Sequence, residues 1–169
     1  KEFKLREVCD LNESAAHSLI QSFAPKAKYQ KNYLELVESA AHSSKGILII
    51  ATTAKSHYSL FKTAVEKGVR KIFLEKPLSV SLEEGRAMIE LAEKYNVLVN
   101  VDHVRRWLSP IEGVKRILNS DVIGRPVSAS YVFGRSGFAM IGTHIFDLFR
   151  YLFDSDIARV RGHLDDIIR

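Results

Sequence analysis

The sequence predicts an α/β protein: a parallel β-sheet with helices on both faces, followed by the start of an α+β domain with a mixed or antiparallel sheet. Apolar runs suited to strands alternate with segments of helical periodicity. The run at residues 46–51 is apolar throughout after its first glycine, as in a strand that is covered on both faces. After residue 107 the pattern changes, and a later strand alternates in polarity, which indicates one wet face.

Four strands and a short extended piece are predicted in the first part. The strands lie at residues 3–8, 46–51, 71–74 and 97–101, and the extended piece at residues 28–29. Apolar residues at helical spacing predict helices around residues 15–23, 33–37, 60–65 and 82–95. Gly68 suits the position just after the third helix, and Ser81 with Glu84 forms a capping box for the fourth. This alternation predicts parallel pairing with right-handed crossovers.

The second part is organised differently. Pro110, at an early helical position, opens a helix, and Gly124-Arg125-Pro126 turns the chain into an alternating strand. The helices predicted here lie at residues 110–118 and 142–153, and the strands at residues 127–133 and 157–163. The sequence therefore predicts two domains, residues 1–107 and residues 108–169.

The composition excludes several classes of protein. With 46% apolar and 27% charged residues, the 169-residue chain resembles an ordinary soluble globular protein. No apolar run approaches the roughly 18 residues of a membrane helix, and the N-terminus is neither a signal nor a transit peptide. We therefore expect a cytoplasmic protein without a membrane partner. The single cysteine, Cys9, cannot form an internal disulfide and has no second cysteine for a structural zinc site.

The positive net charge does not by itself indicate a nucleic-acid partner. The charge of +5 is spread along helices in which acids and bases are interspersed, such as Glu90 and Lys94. A solvated helix face explains this pattern better, so we expect no nucleic-acid partner. Arg105 and Arg106 stand out after a predicted strand, where an anionic cofactor explains them as well as DNA does.

Polar side chains follow the predicted strands at the points where the strands end. These residues are Asp10, Thr52, Thr53, Glu75, Lys76, Asp102, His103, Arg105 and Arg106. Because the carboxyl ends of parallel strands meet at one edge of a sheet, where open α/β sheets bind their ligands, we expect the residues to lie along one rim.

Asp10 and the two threonines each have two interpretations. A carboxylate after an early strand of a nucleotide-binding sheet can accept hydrogen bonds from both hydroxyls of the adenosine ribose, and it would repel a 2′-phosphate. Asp10 could equally cap the helix that begins near Asn12. Thr52 and Thr53 suit the close approach of a cofactor, yet threonines are common in ordinary loops. The residues alone leave these alternatives open.

Glu75-Lys76-Pro77 delivers a charged pair to the carboxyl end of the strand at residues 71–74. The proline ring fixes φ and makes a stiff platform for the lysine. Beside a cationic nicotinamide ring the charged form of Lys76 would be disfavoured, so that the amine could pass protons. A salt bridge with Glu75 is the alternative, although adjacent residues in an extended chain point apart.

His144 and Asp147 lie three residues apart in a predicted helix and hence on one face of it. A neutral imidazole there can orient a substrate hydroxyl or join a proton relay, and the carboxylate can fix its tautomer or bind substrate. A purely structural histidine is the alternative. We expect no metal site, because no third ligand sits at a sensible spacing.

Taken in order, six features make the sequence resemble the Gfo/Idh/MocA oxidoreductases, the family of glucose-fructose oxidoreductase and inositol dehydrogenase. They are Asp10, residues 51–57 (ATTAKSH), Glu75-Lys76-Pro77, Arg105-Arg106-Trp107, Val122-Ile123-Gly124 and residues 142–147 (GTHIFD). The resemblance covers nearly the whole sequence. It implies a Rossmann domain that binds NAD or NADP, and a larger second domain whose sheet supplies substrate contacts and the interface of a homo-oligomer.

The resemblance also implies roles for particular residues. Lys76 would be the catalytic lysine, His144 a catalytic or substrate-binding histidine, and Asp10 the ribose-binding acid that favours NAD over NADP. The cofactor would be bound by Asp10, Thr52, Thr53, His57, Glu75 and Lys76, and the substrate by Arg106, Trp107 and Asp147. Among these, His57 and Trp107 would line the pocket.

The sequence departs from the family's pattern in three ways. No G-x-G-x-x-G occurs, and the chain starts at what would be the second strand, so the neighbours of the first strand would lack their shared partner. Because the second domain has barely begun, we expect a fragment truncated at both ends. Met140 stands four residues before His144, where many catalytic members carry an aspartate, and the connection from Phe133 to Phe138 is short for the family.

The leading hypothesis is an NAD(P)-dependent dehydrogenase that moves a hydride between the nicotinamide ring and a secondary alcohol of a sugar, cyclitol or related polyol. NAD is the expected cofactor, and NADP is the other possibility. A second hypothesis, favoured by Met140, is a non-catalytic relative that acts as a sensor or regulator. A third hypothesis is an interaction domain, such as half of a (β/α)₈ barrel. The alternating strand predicted after Gly124 argues against the barrel. As it stands, the chain could also be a fragment unable to bind a dinucleotide.

Overall fold

The computed structural model describes residues 3–132 and 138–163 of the chain, which divides into two compact units. The first unit is Lys1–Asp102 and the second is His103–Arg169, whereas the sequence predicted a domain boundary after Trp107. The first unit contains β1 (Glu7–Val8), α1 (Glu13–Phe23), β2 (Lys28–Tyr29), α2 (Tyr33–His42), β3 (Leu48–Ile50), α3 (Ala54–Glu66), β4 (Lys71–Glu75), α4 (Leu82–Lys94) and β5 (Leu98–Asp102). The second contains a 3₁₀ helix (Val104–Trp107), α5 (Ser109–Leu118) and α6 (Phe138–Phe153).

All the strand pairs in the described residues are parallel, which confirms the predicted sheet. β1 pairs with β2, and β3, β4 and β5 form a separate three-stranded sheet in that order. The register sets Ile50 beside Leu74, and Glu75 beside Asp102, so the carboxyl ends of the three strands share one edge. No strand among the described residues joins the two sheets.

The core of the first unit lies on one face of the β3–β4–β5 sheet. Ile50 and Leu74 point into it, and the helices contribute Val37, Phe61 and Met88, all of which are buried. Burying an aliphatic or aromatic side chain of this size contributes about 1.5–3 kcal/mol. The helical periodicity noted in the sequence therefore identified the helix faces that close this core, including the predicted apolar residues of α2 and α3.

The opposite face of this sheet is more open than the sequence predicted. Leu48 and Ile50 are 4% and 3% exposed, whereas Ile49 between them is 58% exposed. Leu98 at the start of β5 is also exposed. The prediction that the strand at residues 46–51 is covered on both faces is therefore wrong for the part of the chain that is described. Successive side chains of a strand point to opposite faces, and in this strand the side chains of only one face are buried.

The helix boundaries follow from the capping residues. Asn12 and Asn32 accept backbone N–H bonds at the starts of α1 and α2, and Ser81 Oγ accepts one from Glu84 N at 3.1 Å. The predicted cap at Ser81 is confirmed, as is the glycine after α3, because Gly68 has φ +101°. The spacing of apolar residues in α4 predicts an apolar side made of Leu82, Met88, Ile89, Ala92 and Tyr95. This prediction is partly wrong, because Leu82 and Ile89 are exposed while Met88 is buried.

The second unit confirms the predicted helices but not the predicted strands. The alternating segment forms no strand over residues 127–132, residue 133 lies outside the described ranges, and residues 157–163 form none. Val127 and Val132 are 95% and 94% exposed. A strand exists only where its backbone finds a hydrogen-bonded partner, and in the described residues neither segment has one. For the same reason the strand predicted at residues 3–8 is reduced to Glu7–Val8.

No helix in residues 3–132 or 138–163 is long and apolar enough to cross a membrane.

Tyr33 links two helices of the first unit through its hydroxyl, which donates a hydrogen bond to the carbonyl oxygen of Leu60. Burial, with a smaller effect of Cys9, raises the pKa of Tyr33 to about 12. Because this folded-state pKa lies above the unfolded value near 10, the neutral phenol stabilises the fold below about pH 10, and this contribution is lost as the pH rises towards about 12.

Replacing Tyr33 by Phe should therefore lower the free energy of unfolding by about 1 kcal/mol near neutral pH, because the hydrogen bond is lost. The difference from the parent protein should shrink as the pH rises above about 10, since the parent then loses its protonated phenol on unfolding. Urea unfolding at a series of pH values measures both effects. A difference that stays constant over the alkaline range would contradict this account.

Candidate functional site

Asp10 lies just beyond β1 and is exposed at the start of α1. Its Oδ1 accepts a hydrogen bond from the backbone N–H of Asn12 at 2.7 Å, and Asn12 Oδ1 in turn accepts from Ala15 N at 3.1 Å. Asn12, not Asp10, is therefore the capping residue of the helix. The second carboxylate oxygen of Asp10 has no hydrogen-bond partner among the described residues, which leaves it able to accept from a ligand hydroxyl.

Thr52 and Thr53 lie between β3 and α3 and are both exposed. Ser56 Oγ donates to Thr52 Oγ1 and to the carbonyl oxygen of Thr53, each at 2.8 Å. Thr53 is the N-cap of α3, but its side chain makes no capping bond, and the first turn contains no acidic residue. The two hydroxyl residues therefore stand where the sequence predicted a cofactor contact, beside a helix start that carries no negative charge.

His57, in the first turn of α3, is fully buried. Its Nε2 lies 3.0 Å from the carbonyl oxygen of Thr52, and its Nδ1 lies 2.9 Å from that of Pro77. Neither ring nitrogen is left to face a ligand in this arrangement. The structure thus brings together the strand-end segments after β3 and β4, both of which carry predicted site residues.

Glu75, Lys76 and Pro77 leave the carboxyl end of β4 and are all half-buried. Glu75 pairs in register with Asp102, the last residue of β5, and the Lys76–Pro77 peptide bond is cis. The predicted catalytic lysine is therefore at the strand-end position that the sequence assigned to it. The rim of the first unit collects Thr52, Glu75, Lys76 and Asp102 on one edge.

In the second unit, Asp147 is paired with Arg106. Arg106 Nε donates to Oδ2 at 2.7 Å and Nη2 to Oδ1 at 2.6 Å, a two-pronged bond between the 3₁₀ helix and α6. This hydrogen bond raises the pKa of Arg106. Bidentate pairs of this kind are short and specific in direction. The two residues, both predicted to bind substrate, thus satisfy each other, and Trp107 beside them is 66% exposed.

His144 is buried in α6, and its ring meets that of His103 edge to face, with the ring centroids 5.8 Å apart. Nδ1 of His103 and Oγ1 of Thr143 are buried without a hydrogen-bond partner among the described residues. The sequence placed His103 on the expected rim, because it follows a strand, but gave it no role. Thr143 was given no role either, and its available signal was its position beside His144.

No group of three or more His, Cys, Asp or Glu side chains in the described ranges could hold a metal ion.

The family of the chain follows from its match to known proteins. Residues 1–103 match the Gfo/Idh/MocA family, an oxidoreductase family with an NAD-binding Rossmann fold. The chain belongs to this family. The match covers the whole first unit and confirms the resemblance seen in the sequence, together with the predicted α/β fold.

This Gfo/Idh/MocA chain is similar to several characterised proteins. It is 31% identical over 129 residues to scyllo-inositol 2-dehydrogenase (NAD(+)) of Bacillus subtilis (strain 168), covering 69% of this chain and 37% of that protein. It is 29% identical over 170 residues to D-apiose dehydrogenase of Paraburkholderia graminis, covering 90% and 44%. An oxidoreductase from Agrobacterium radiobacter, solved in complex with NAD⁺, L-tartaric acid and magnesium, is 26% identical with a TM-score of 0.72, covering 87% and 46%. The chain thus spans less than half the length of each relative.

Breaking the Arg106–Asp147 pair should measurably lower the free energy of unfolding. Asp147→Asn should lower the free energy of unfolding by about 1–3 kcal/mol, less than for a fully buried pair, because the Arg106 side chain is 33% exposed and that of Asp147 is 11% exposed. Asp156→Asn is the matched control, since it removes the partner of Arg150 at the far more exposed end of the same helix and should cost no more than about 0.5 kcal/mol. Urea unfolding of both variants checks the difference, and equal losses would contradict it.

Proposed function

We propose that the whole protein is an NAD-dependent dehydrogenase that oxidises a secondary alcohol of a cyclitol, sugar or related polyol, or reduces the corresponding ketone. The observation that supports this most strongly is the match of residues 1–103 to an oxidoreductase family with an NAD-binding Rossmann fold. The named substrates of the two curated relatives, scyllo-inositol and D-apiose, are both small polyhydroxylated compounds, which supports the polyol class.

The described residues fit part of a dinucleotide. The exposed carboxylate of Asp10, with one oxygen unengaged, suits the hydroxyls of an adenosine ribose at the carboxyl end of β1. Thr52 and Thr53 follow the end of β3, where small residues let a ligand approach the backbone. No G-x-G-x-x-G turn occurs in the 169 residues, so the pyrophosphate is not assigned to any of them.

Lys76 supplies the proton chemistry in this proposal. A bound nicotinamide ring would accept or deliver the hydride at C4, while the hydroxyl proton of the alcohol needs a separate acceptor. A neutral lysine amine can take that proton as the carbonyl forms, and the ammonium can return it in the reverse direction. The position of Lys76 at the carboxyl end of a central parallel strand supports this role, because ligands of open α/β sheets bind there.

His144 takes the assisting role. Its burial in α6 and its edge-to-face contact with His103 restrict the orientation of the imidazole, which suits a group that orients a substrate hydroxyl. Asp147 does not serve as the tautomer-fixing partner of His144 in this proposal, because both its oxygens accept from Arg106. Arg106 and Asp147 instead hold the 3₁₀ helix against α6.

One sequence observation favours a second candidate function, a non-catalytic relative that senses a polyol or the cofactor. Met140 stands where, by resemblance, many catalytic members carry an aspartate, and a thioether cannot transfer protons. Retention of both Lys76 and His144 favours catalysis. Turnover by the whole protein distinguishes the two candidates, because a sensor binds NADH without oxidising any polyol.

Replacing Lys76 by Met in the whole protein should reduce kcat by about 10²–10⁴, the usual contribution of a general acid or base, while NADH still binds. NADH formation with scyllo-inositol, D-apiose and related polyols measures turnover, and NADH fluorescence measures binding. Lys71→Met is the matched control, because Lys71 opens the same strand and bonds to the carbonyl oxygen of Ser44, far along β4 from the rim. Near-normal turnover of the Lys76 variant would remove the lysine from the mechanism.

Replacing Asp10 by Ser should narrow the preference for NAD over NADP by about tenfold or more, because a like charge beside the 2′-phosphate is costly. Since Asn12 caps α1, the same change should alter stability by no more than about 0.5 kcal/mol. The ratio of kcat/KM values for the two cofactors and a urea titration measure the two effects. An unchanged ratio in a folded variant would refute the ribose role.

A further inference from the structure

One buried ring bridges the two segments that leave neighbouring strands at the rim of the first unit. Thr52 lies in the connection after β3, and Pro77 directly follows Lys76 after β4. The His57 ring lies between their carbonyl oxygens, at 3.0 Å from Nε2 and 2.9 Å from Nδ1, and the residue is fully buried. The contact to Pro77 joins α3 to the segment that carries the proposed catalytic lysine.

The chemistry of the two contacts determines what the ring donates. A carbonyl oxygen only accepts hydrogen bonds, and a neutral imidazole has a single N–H. One of the two contacts would then set a nitrogen lone pair against an oxygen lone pair at hydrogen-bond distance. An imidazolium has an N–H at each nitrogen and satisfies both carbonyl oxygens of this buried arrangement.

The position of His57 in α3 disfavours a positively charged ring, whereas its contacts with the two carbonyl oxygens favour one. The first turn of α3 is the positive end of the helix dipole, which disfavours a positive charge. Both carbonyl groups, however, direct their negative ends at the ring, and hydrogen bonds from a charged donor are about twice as strong as neutral ones. A buried ring that lacked one of these bonds would leave a polar atom unsatisfied.

We propose that His57 is a positioning residue for Lys76: its ring, donating from both nitrogens, ties the segment after Lys76 to the end of β3. This rests on the proposed function of Lys76. His57 acts through the backbone and touches neither cofactor nor substrate, which differs from the pocket-lining role implied by the family resemblance. Misplacement of a catalytic group by about 1 Å can cost up to about 10²-fold in rate, so a tie of this kind matters for turnover.

A double-mutant cycle in the whole protein tests the proposal. His57→Phe keeps an aromatic ring but removes both donors, so kcat should fall about 10- to 100-fold while the KM for the polyol and the Kd for NADH change less than about threefold. In a Lys76→Met background the same change should lower kcat less than about twofold, because the group that it positions is gone. A full additional loss in that background would overturn the proposal, as would unchanged kcat in a folded His57→Phe protein.

His42→Phe is the matched control, because His42 is exposed on α2 and its Nδ1 contacts the carbonyl oxygen of Glu38 in its own helix. It should leave kcat, KM and the Kd for NADH unchanged.

A second measurement tests the hydrogen bonds of the His57 ring independently of enzymatic activity. It uses the parent protein, so it does not require a variant that folds. In the whole protein labelled with ¹⁵N-histidine, nuclear magnetic resonance should show two ring N–H signals of His57 that exchange slowly with water. One signal or none would overturn the tie. If the parent protein oxidises no polyol while both signals are present, the proposed function fails and the tie between the two segments stands.

Discussion

Parallel pairing of β3, β4 and β5 is the constraint on which the first unit depends, because it brings three carboxyl strand ends to one edge. Thr52, Lys76 and Asp102 are far apart in the chain, yet the register that aligns Ile50 with Leu74 and Glu75 with Asp102 sets them along a common rim. The apolar side chains that alternate along these strands bury one face against α3 and α4, and this packing holds the rim in place. The same strand register therefore places the site residues at the edge of the sheet and aligns the apolar side chains that stabilise the core.

Local signals predicted most of this fold because each is decided within a few residues. The cap at Ser81, the positive φ of Gly68 and the helical spacing of Phe61 and Val65 need no knowledge of distant parts of the chain. The errors have the opposite cause. Whether residues 127–132 become a strand, or whether Ile49 is covered, depends on a partner that the local pattern does not contain. A continuous apolar run indicates only that both faces of a strand can be buried, and it does not show that both are.

The site shows the same division between local and distant information. Position after a strand was enough to select Lys76 and Asp10, and order along the chain was enough to suggest the family. The hydrogen-bond partners of these side chains could not be predicted from the sequence, because they depend on contacts between residues that are tens of positions apart. Arg106 and Asp147 are both named by the sequence pattern, but only the structure shows that they bind each other. His57 was selected as pocket lining, whereas its ring lies between two backbone carbonyl groups.

The exposed side of β3 also bears on how the isolated chain behaves in solution. Among the described strands β3 pairs with β4 alone, so its other edge presents backbone donors and acceptors beside the exposed side chain of Ile49. Apolar edges without a charged residue are templates on which a second chain can add a strand. The net charge of +5 opposes this self-association by repulsion between copies, and dissolved salt screens that repulsion over distances of about 10 Å at 0.1 M. Colloidal stability of the chain is therefore tied to ionic strength through the unpaired edges of its described strands, of which β3 is one.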